Sequence, residues 1–293
     1  MPDPPPPGRS CPGPENLQRE NPAVARKLTL IIPCKNESAH IAACIESARA
    51  IADEILVADS GSTDDTREIA RRLGARIIER EYVHSGDFKN WAIPQASHEW
   101  VLLLDADERL TAPLRQEIRT VLDKGPAYDG YWIRRRTTFL GRPLRYGGCH
   151  TDRVIRLFHR DRARYVGHTD HAEIGLPRHR VGTLQHRMLH HSYRSLDDYF
   201  RKFHRYTRQK AEVKYARGLR ASLIKMFFTV PFRFVHLYFI RRGFLDGYAG
   251  LVFCMLSAMA SFVYQAHMWE LDVQEQCRHE RATDPAPPNK RAA

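Results

Sequence analysis

The segment Leu102-Leu103-Leu104-Asp105-Ala106-Asp107-Glu108 ends an apolar run with carboxylates at alternate positions. Successive side chains of an extended segment point to opposite faces, so Asp105 and Asp107 are expected to share one side while the small Ala106 turns away. Two carboxylates so arranged suit Mg2+ or Mn2+, hard cations that take one or two such groups and complete their shell with phosphate oxygens and water. Alone, Asp-x-Asp is equally an acidic turn before a helix. Three further polar clusters change the balance. Pro33-Cys34-Lys35-Asn36-Glu37 follows one apolar run, Ala58-Asp59-Ser60-Gly61-Ser62-Thr63-Asp64-Asp65-Thr66 follows another, and Lys89-Asn90 opens the segment before the Asp-x-Asp run. Asn, Asp, Ser and Gly favour turns anyway. Repeated at one edge of a sheet, they mark a place where a nucleotide meets backbone N–H groups and fixed side chains.

The elements that must position these residues are legible as alternating periods. Short apolar runs at 28–32, 54–58, 75–79 and 100–104 read as buried strands, and amphipathic segments at 38–49, 64–73, 87–96 and 111–122 read as helices. Asp64 or Asp65 is expected to cap the second helix and Gly74 to stop it. Thr111 is expected to cap the fourth, with Pro113 in its first turn, where a missing N–H costs little. Strands alternating with helices imply an α/β fold with a mostly parallel sheet and ligands at its carboxyl edge. Residues 129–193 differ: strand-like pieces at 130–136 and 154–159 lie among Gly, Arg and His, and read as the acceptor half of the same domain.

Composition narrows the class. Of 293 residues 43% are hydrophobic, enough for a sizeable core, so global disorder is excluded. Lys and Arg outnumber Asp and Glu by 46 to 34, a formal charge of +12 that suits a phosphate-bearing partner. The six cysteines form no C-x-x-C pair, which argues against a disulfide framework or zinc site and fits a reducing compartment. His168, His186, His190 and His191 likewise lack recognised zinc spacing. The Pro-rich stretch 1–26 reads as a disordered tail without the apolar core of a secretory leader.

The pieces "LTLIIPCKNE", "EILVADSGSTDDT", "FKNWA" and "WVLLLDADE" together resemble the family 2 glycosyltransferases, over about residues 27–125. A closer resemblance, to the lipopolysaccharide core β-1,4-glucosyltransferase branch, rests on "RVIRLFHR", "HAEI", "LHHSY", "YFRKFHRYT" and "RRGFLDGYAGL". The resemblance implies a GT-A fold, Rossmann-like, with a UDP-sugar donor and Mg2+ or Mn2+. Carried over by position, Pro33 and Glu37 match the nucleotide-facing first loop, Asp59 the acid that bonds the base or ribose, and Lys89 a cation near base or diphosphate. Asp105 matches the acid near ribose and metal, and Asp107 the direct metal ligand. Family members generally invert the anomeric centre in one displacement, with a carboxylate as base. The branch tends to show Val-His-Glu there; this chain has Asp170-His171-Ala172-Glu173, an alanine separating His from Glu. Glu173 is the first choice of base, Asp170 and Asp152 are alternates, and His171 could orient the base, contact phosphate or ligate metal. The run Arg134-Arg135-Arg136 is a candidate for an anionic acceptor.

Past 193 a basic, aromatic helix is expected over 195–217, then two apolar stretches at 223–240 and 247–269. The second contains no Asp, Glu, Lys or Arg and is long enough for a ~30 Å hydrocarbon layer. Aromatic bodies with cationic rims suit a lipid surface. The expected plan is a tail at 1–26, a catalytic domain at 27–193 (nucleotide-sugar half 27–125, acceptor half 126–193), membrane-associating helices at 194–276 and a flexible tail at 277–293. The corresponding function is hexose transfer, with glucose from UDP-glucose as first choice, to a lipid-linked acceptor such as the heptose region of lipopolysaccharide core. It would take place at the cytoplasmic face of the inner membrane, peripheral, monotopic or re-entrant, with no nucleic acid as partner. The alternatives are transfer of another sugar to another lipid or polysaccharide, or a non-catalytic basic membrane- or RNA-binding module, which would not need Asp59, Asp105 and Asp107 together.

Overall fold

The computed structural model describes residues 25–167 and 172–283. The expected tail 1–26 lies outside this range except for its last two residues. In the first half the strands are β1 (Leu28–Cys34), β2 (Glu54–Asp59), β3 (Arg76–Glu79) and β4 (Trp100–Leu103). Helices α1 (Ile41–Ala48), α2 (Thr66–Arg72) and α3 (Ser85–Ala92) connect them, and α4 (Ala112–Lys124) follows β5 (Glu108–Arg109). The four strands pair in parallel in the order β3-β2-β1-β4. All seven residues of β1 except Pro33 are buried, as a central strand covered on both faces must be.

The second half adds β6 (Gly130–Phe139), β7 (Arg142–Pro143), β8 (Arg153–His159) and β11 (Val181–Tyr193). β8 enters antiparallel between β4 and β6, and β11 runs parallel to β6, giving β3-β2-β1-β4-β8-β6-β11-β5 with β7 beside β6. A small hairpin, β9 (Tyr165–Val166) with β10 (Glu173–Ile174), stands apart. Ile31, Leu103 and Phe158 pack with Phe88 of α3 on one face of the sheet. Leu30, Leu102 and Leu157 pack with α1 and α4 on the other.

Helix ends follow their local chemistry, with one exception. The Thr111 hydroxyl accepts from the Leu114 N–H at 3.4 Å, and Gly74 leaves α2 at φ +77°. Asp65 stands at the start of α2 without a side-chain cap. Asp64 does both: one oxygen accepts the N–H of Thr66, the first residue of α2, at 3.1 Å, and the other bonds across to the first loop, accepting from the Ser38 N–H at 3.1 Å.

Glu54, at the start of β2 and away from the carboxyl edge, ties the sheet together. Its carboxylate accepts from the Thr29 hydroxyl (2.7 Å), the Ser97 N–H (2.7 Å) and hydroxyl (2.8 Å), and the Arg76 guanidinium (2.6 Å). Burial works to raise its pKa, but the hydrogen bonds from Ser97, Thr29 and Arg76 outweigh it and bring the group from 4.5 to about 2. A depressed carboxylate stabilises the fold fully above its unfolded pKa and ceases to do so as pH falls through the folded one.

Past β11, α5 (Leu196–Ala216), α6 (Leu223–Val235) and α7 (Gly247–Thr283) form a helical layer. It joins the sheet domain through Phe139, Tyr193, Tyr199 and Phe253. α7 continues to Thr283, so the flexible tail expected from 277 does not begin there; the remainder lies outside the described residues.

Glu54→Gln is expected to lower the unfolding free energy by about 1–3 kcal/mol at pH 7. In urea titrations followed by circular dichroism, its gap from the wild type should narrow as pH falls from 4.5 towards 2. A constant gap would remove the charged carboxylate from the explanation.

Candidate functional site

The loops after β1 and β2 are stitched into one floor. The Asn36 N–H donates to the Ser62 hydroxyl (2.9 Å), the Thr63 N–H to Asn36 Oδ1 (2.8 Å), and the Glu37 N–H to the Thr66 hydroxyl (2.8 Å). Asn36 takes φ +55°, the left-handed conformation that Asn tolerates better than most residues. Asp59 is fully buried beneath this floor. It accepts from the Gly61 and Ser62 N–H groups (3.1 and 2.9 Å), the Ser62 hydroxyl and the Cys34 thiol. Ser60 faces the cleft above it; Asp59 is not among the cleft-lining residues.

Above the floor a cleft of about 720 Å³ opens between the two halves of the sheet. Pro33, Glu37, Lys89, Asp105, Asp107 and Glu173 all line it, so six of the expected site residues share one cavity. Its walls carry seven Lys and Arg against four carboxylates, which suits a diphosphate.

Beneath the cleft lies a charge network. Glu108 is fully buried. It accepts from Arg156 at 2.8 Å, with Arg135 at 3.5 Å, while its other oxygen accepts the Asp105 N–H at 3.1 Å. Arg156 also contacts Asp105 and donates to the Tyr165 hydroxyl at 3.2 Å. Lys89 closes on Asp105 at 2.9 Å and sits 5.2 Å from the centre of the Tyr165 ring. Burial would raise the Asp105 pKa, but Arg156 and Lys89 hold it well below the usual carboxylate range. The carboxylate of Asp105 is therefore occupied by two cations.

Asp107 is placed differently. The strand stops at Leu103, and a turn closed by the Glu108 N–H on the Asp105 carbonyl (2.9 Å) replaces the extended segment expected here. Period-two alternation therefore does not apply. Asp105 faces Lys89 and Arg156, whereas Asp107 faces His190 Nε2 (3.7 Å) and Lys202 Nζ (3.5 Å). Glu37 is pushed up to about 7 by burial and by the charge on Asp107, against the opposing pull of Lys202 and Arg194. His190 Nδ1 lies 2.9 Å from the Ser192 hydroxyl; if it donates there, Nε2 presents its lone pair towards Asp107. Among the described residues no three His, Cys, Asp or Glu converge as a protein-only cage. Asp107 with His190, and Glu37 nearby, still make a fitting donor set for a hard cation that draws other ligands from phosphate and water.

Glu173, on β10, is an exposed carboxylate on the cleft wall. Asp170 and His171 lie outside the described residues. Asp152 is clamped by Arg135 through two 2.8 Å bonds, which leaves it poorly suited to act as a base. Of the arginine run, only Arg135 lines the cleft, and it is engaged by Asp152 and Glu108; Arg134 donates to the Gln185 carbonyl. Sequence reasoning names neither Arg156 nor Lys202 as a site residue, and it weighs His190 only within a histidine group that lacks zinc spacing. For Arg156 a signal existed: a lone cation inside Val154-Ile155-Arg156-Leu157-Phe158 must find a carboxylate if that strand is buried.

Comparison with known proteins identifies the family. The model of glycosyl transferase family 2 matches residues 29–176. The lipopolysaccharide core biosynthesis glycosyltransferase LpsC of Rhizobium meliloti is 30% identical over 254 residues, covering 82% of this chain and 93% of LpsC. An uncharacterized glycosyltransferase of Rickettsia typhi is 28% identical over 259 residues, covering 85% and 89%. Among solved structures, glucosyl-3-phosphoglycerate synthase from Mycobacterium tuberculosis in complex with Mn2+, UDP and glucosyl-3-phosphoglycerate is 27% identical with a TM-score of 0.33. That match spans 39% of this chain and 44% of the synthase. The family match covers the residues that build the parallel half of the sheet and most of the cleft, and this chain belongs to glycosyl transferase family 2, with its GT-A fold.

Proposed function

We propose that the protein transfers a hexose, with glucose from UDP-glucose as the first choice, to a lipid-linked saccharide such as the heptose region of lipopolysaccharide core, inverting the anomeric carbon. The observation that carries this reading is the unequal treatment of the two Asp-x-Asp carboxylates. Asp105 is held by Lys89 and Arg156, whereas Asp107, on the same cleft, has the looser neighbours His190 at 3.7 Å and Lys202 at 3.5 Å. A donor diphosphate would lie between them, within reach of the cleft's cations. Asp107, assisted by His190, would hold Mg2+ or Mn2+. Such an ion, when bound, supplies positive charge to the departing diphosphate.

The remaining roles fall to the chain itself. Lys89 and Arg156 are fixed before the donor arrives, so little reorganisation accompanies charge growth on the leaving group. Glu173 takes the proton of the acceptor hydroxyl as its oxygen bonds to C1 and the bond from C1 to the diphosphate breaks. Asp59 shapes the donor floor from below, and the contact to ribose or base passes to Ser60 and the backbone above it.

The helical layer supports attachment in the plane of a membrane. Two apolar helical stretches, Leu223–Ile240 and Gly243–His279, are long enough to cross a bilayer, and the apolar window of the first has none of its residues buried. On α6, Leu223, Ile224, Phe227, Phe228 and Phe232 are exposed by 69–76% at helical spacing. Tyr248, Leu251, Met255, Met259 and Phe262 make a second exposed stripe on α7. Crossing conflicts with the connections. The turn between the two stretches is bonded to the sheet domain: the Gly147 N–H donates to the Arg241 carbonyl (2.9 Å) and the Tyr146 N–H to Asp246 (2.8 Å). The other end of α6 lies beside the far part of α7, with the Ser222 N–H on Gln265 (3.1 Å) and Arg220 on Asp272 (3.1 Å). α5 runs alongside α7 to that same far end, with His204 meeting His267 edge to face and Tyr215 bonded to Glu275. If α6 crossed the membrane, α5 would have to cross too, carrying Arg201, Lys202, Arg205, Arg208, Lys210 and Lys214 at about 2.5–3.5 kcal/mol for each central charge. Lying flat avoids this, with the aromatic faces in the lipid and Lys225, Arg233, Arg241 and Arg242 at anionic headgroups. The reading adopts the cytoplasmic face of the inner membrane, where a nucleotide-sugar pool is available.

UDP-glucose with Mn2+ is expected to raise the melting temperature by several degrees, and Asp107→Ala to abolish this shift and lower transfer at least ~100-fold with the fold intact. Glu173→Gln should lower turnover to a similar extent while donor binding is kept. Absence of any stabilisation by nucleotide sugars would exclude the reading. For attachment, Phe227→Asp with Phe232→Asp should release the protein from anionic vesicles. Single cysteines replacing Arg217 and Arg242, in a chain otherwise free of cysteine, should both react with an impermeant maleimide from the side of the catalytic domain. Labelling of position 217 only from the opposite side would mean that α6 crosses.

A further inference from the structure

Most of the cleft's cations are already committed. Lys89 and Arg156 neutralise Asp105, Arg135 is shared between Glu108 and Asp152, and Lys202 serves Asp107, Asp198 and the Ser192 carbonyl (2.8 Å). Arg153 is not. It begins β8, is exposed, and lines the cleft without an ion pair among the described residues. Its guanidinium lies over the Trp132 ring, 4.9 Å from the centroid. Trp132 is half-buried on the adjacent strand β6, and its ring also lines the cleft.

A guanidinium over an indole face is held in one plane by the ring's quadrupole while its N–H edge stays available. This is a fork already positioned for an oxyanion: ordering the arginine costs little at binding, and a phosphate or carboxylate can accept two parallel N–H bonds. The exposed part of the indole offers an apolar surface for the C–H face of a sugar ring. Both residues come from the acceptor half of the sheet and share their wall with Glu173.

We propose that Trp132 and Arg153 form an acceptor subsite that recognises an anionic group, a phosphomonoester or carboxylate, carried on the acceptor saccharide. The identity of the carrier rests on the sugar-transfer reading; the recognition of an anion beside an aromatic platform does not. The subsite supplies the anion contact for which the run Arg134-Arg135-Arg136 is the candidate in sequence.

The test uses the full chain, loaded with UDP and Mn2+, and two probes, a methyl heptoside and its monophosphate, with affinity read by calorimetry or ligand-observed NMR. The wild type should bind the monophosphate more tightly than the neutral heptoside. Arg153→Ala should weaken the monophosphate by about 10- to 100-fold and leave the neutral sugar unchanged. Arg153→Lys, which keeps the charge but loses the planar fork, should recover only part of this. Trp132→Ala should weaken both probes. UDP-glucose affinity, measured in parallel, should be unchanged in the Arg153 variants. Equal binding of the two probes by the wild type, or an unaltered monophosphate affinity in Arg153→Ala, overturns the subsite. A loss confined to UDP-glucose overturns it too, because the cation would then serve the donor. Failure of the wild type to bind UDP-glucose at all counts against the sugar-transfer reading and is recorded separately from the anion preference.

Discussion

The site depends on one buried interaction, that of Arg156 with Glu108 and Asp105. Glu108 is fully buried and the Arg156 side chain is only 5% exposed. Taking such charges out of water costs several kcal/mol per ion unless each is paired and its remaining hydrogen-bonding capacity is met. Here the pairing is dense, although the buried Arg156 Nε has no hydrogen-bond partner. Arg156 reaches both acids and the Tyr165 hydroxyl, Glu108 receives the Asp105 N–H, and Arg135 links Glu108 to Asp152. The network joins β8 to the Asp-x-Asp turn and to β6, the seam where the parallel strands meet the antiparallel β8. A buried ion cluster of this kind contributes less to net stability than to register: it admits one arrangement of strands, in which no charge is left alone.

That arrangement also determines how charge is distributed in the cleft. The network holds Asp105 between two cations, whereas Asp107, also on the cleft wall, has Lys202 at 3.5 Å and His190 at 3.7 Å. The local field is legible in Glu37, raised to about 7 partly by its neighbour Asp107. The floor beneath follows the same logic. Asp59 spends its acceptors on the backbone of its own loop, which fixes Ser60 and the stitched turns above it.

The helical layer extends the catalytic cleft rather than forming an independent anchor. Lys202, Arg205 and Tyr206 of α5 line the cleft, while the same helix packs its Ala211 against Tyr264 and Met268 of α7. Close backbone approach holds the connector: a Cβ added to Gly250 would lie 2.0 Å from the Gly243 carbonyl. The exposed apolar faces of α6 and α7 are thus held at a fixed distance from the cleft.

Strand and helix alternation, the positions of the polar loops and the Thr111 cap were all determined by the sequence alone, because periodicity, turn chemistry and capping act within a few residues. So was the gathering of Pro33, Glu37, Lys89, Asp105 and Asp107 around the cleft, since loops at the carboxyl ends of parallel strands must share one edge. What each of them does there was decided by the tertiary structure. Asp105 and Arg156 are 51 residues apart, and nothing local predicts that they meet. The turn that overrides strand alternation at Asp107, the burial of Asp59, the clamp on Asp152 and the liberty of Arg153 are likewise set by partners distant in the chain. The reason is electrostatic: a charged side chain takes its role from the opposite charges that folding brings within a few ångströms, and that assignment exists only once the sheet has closed around them.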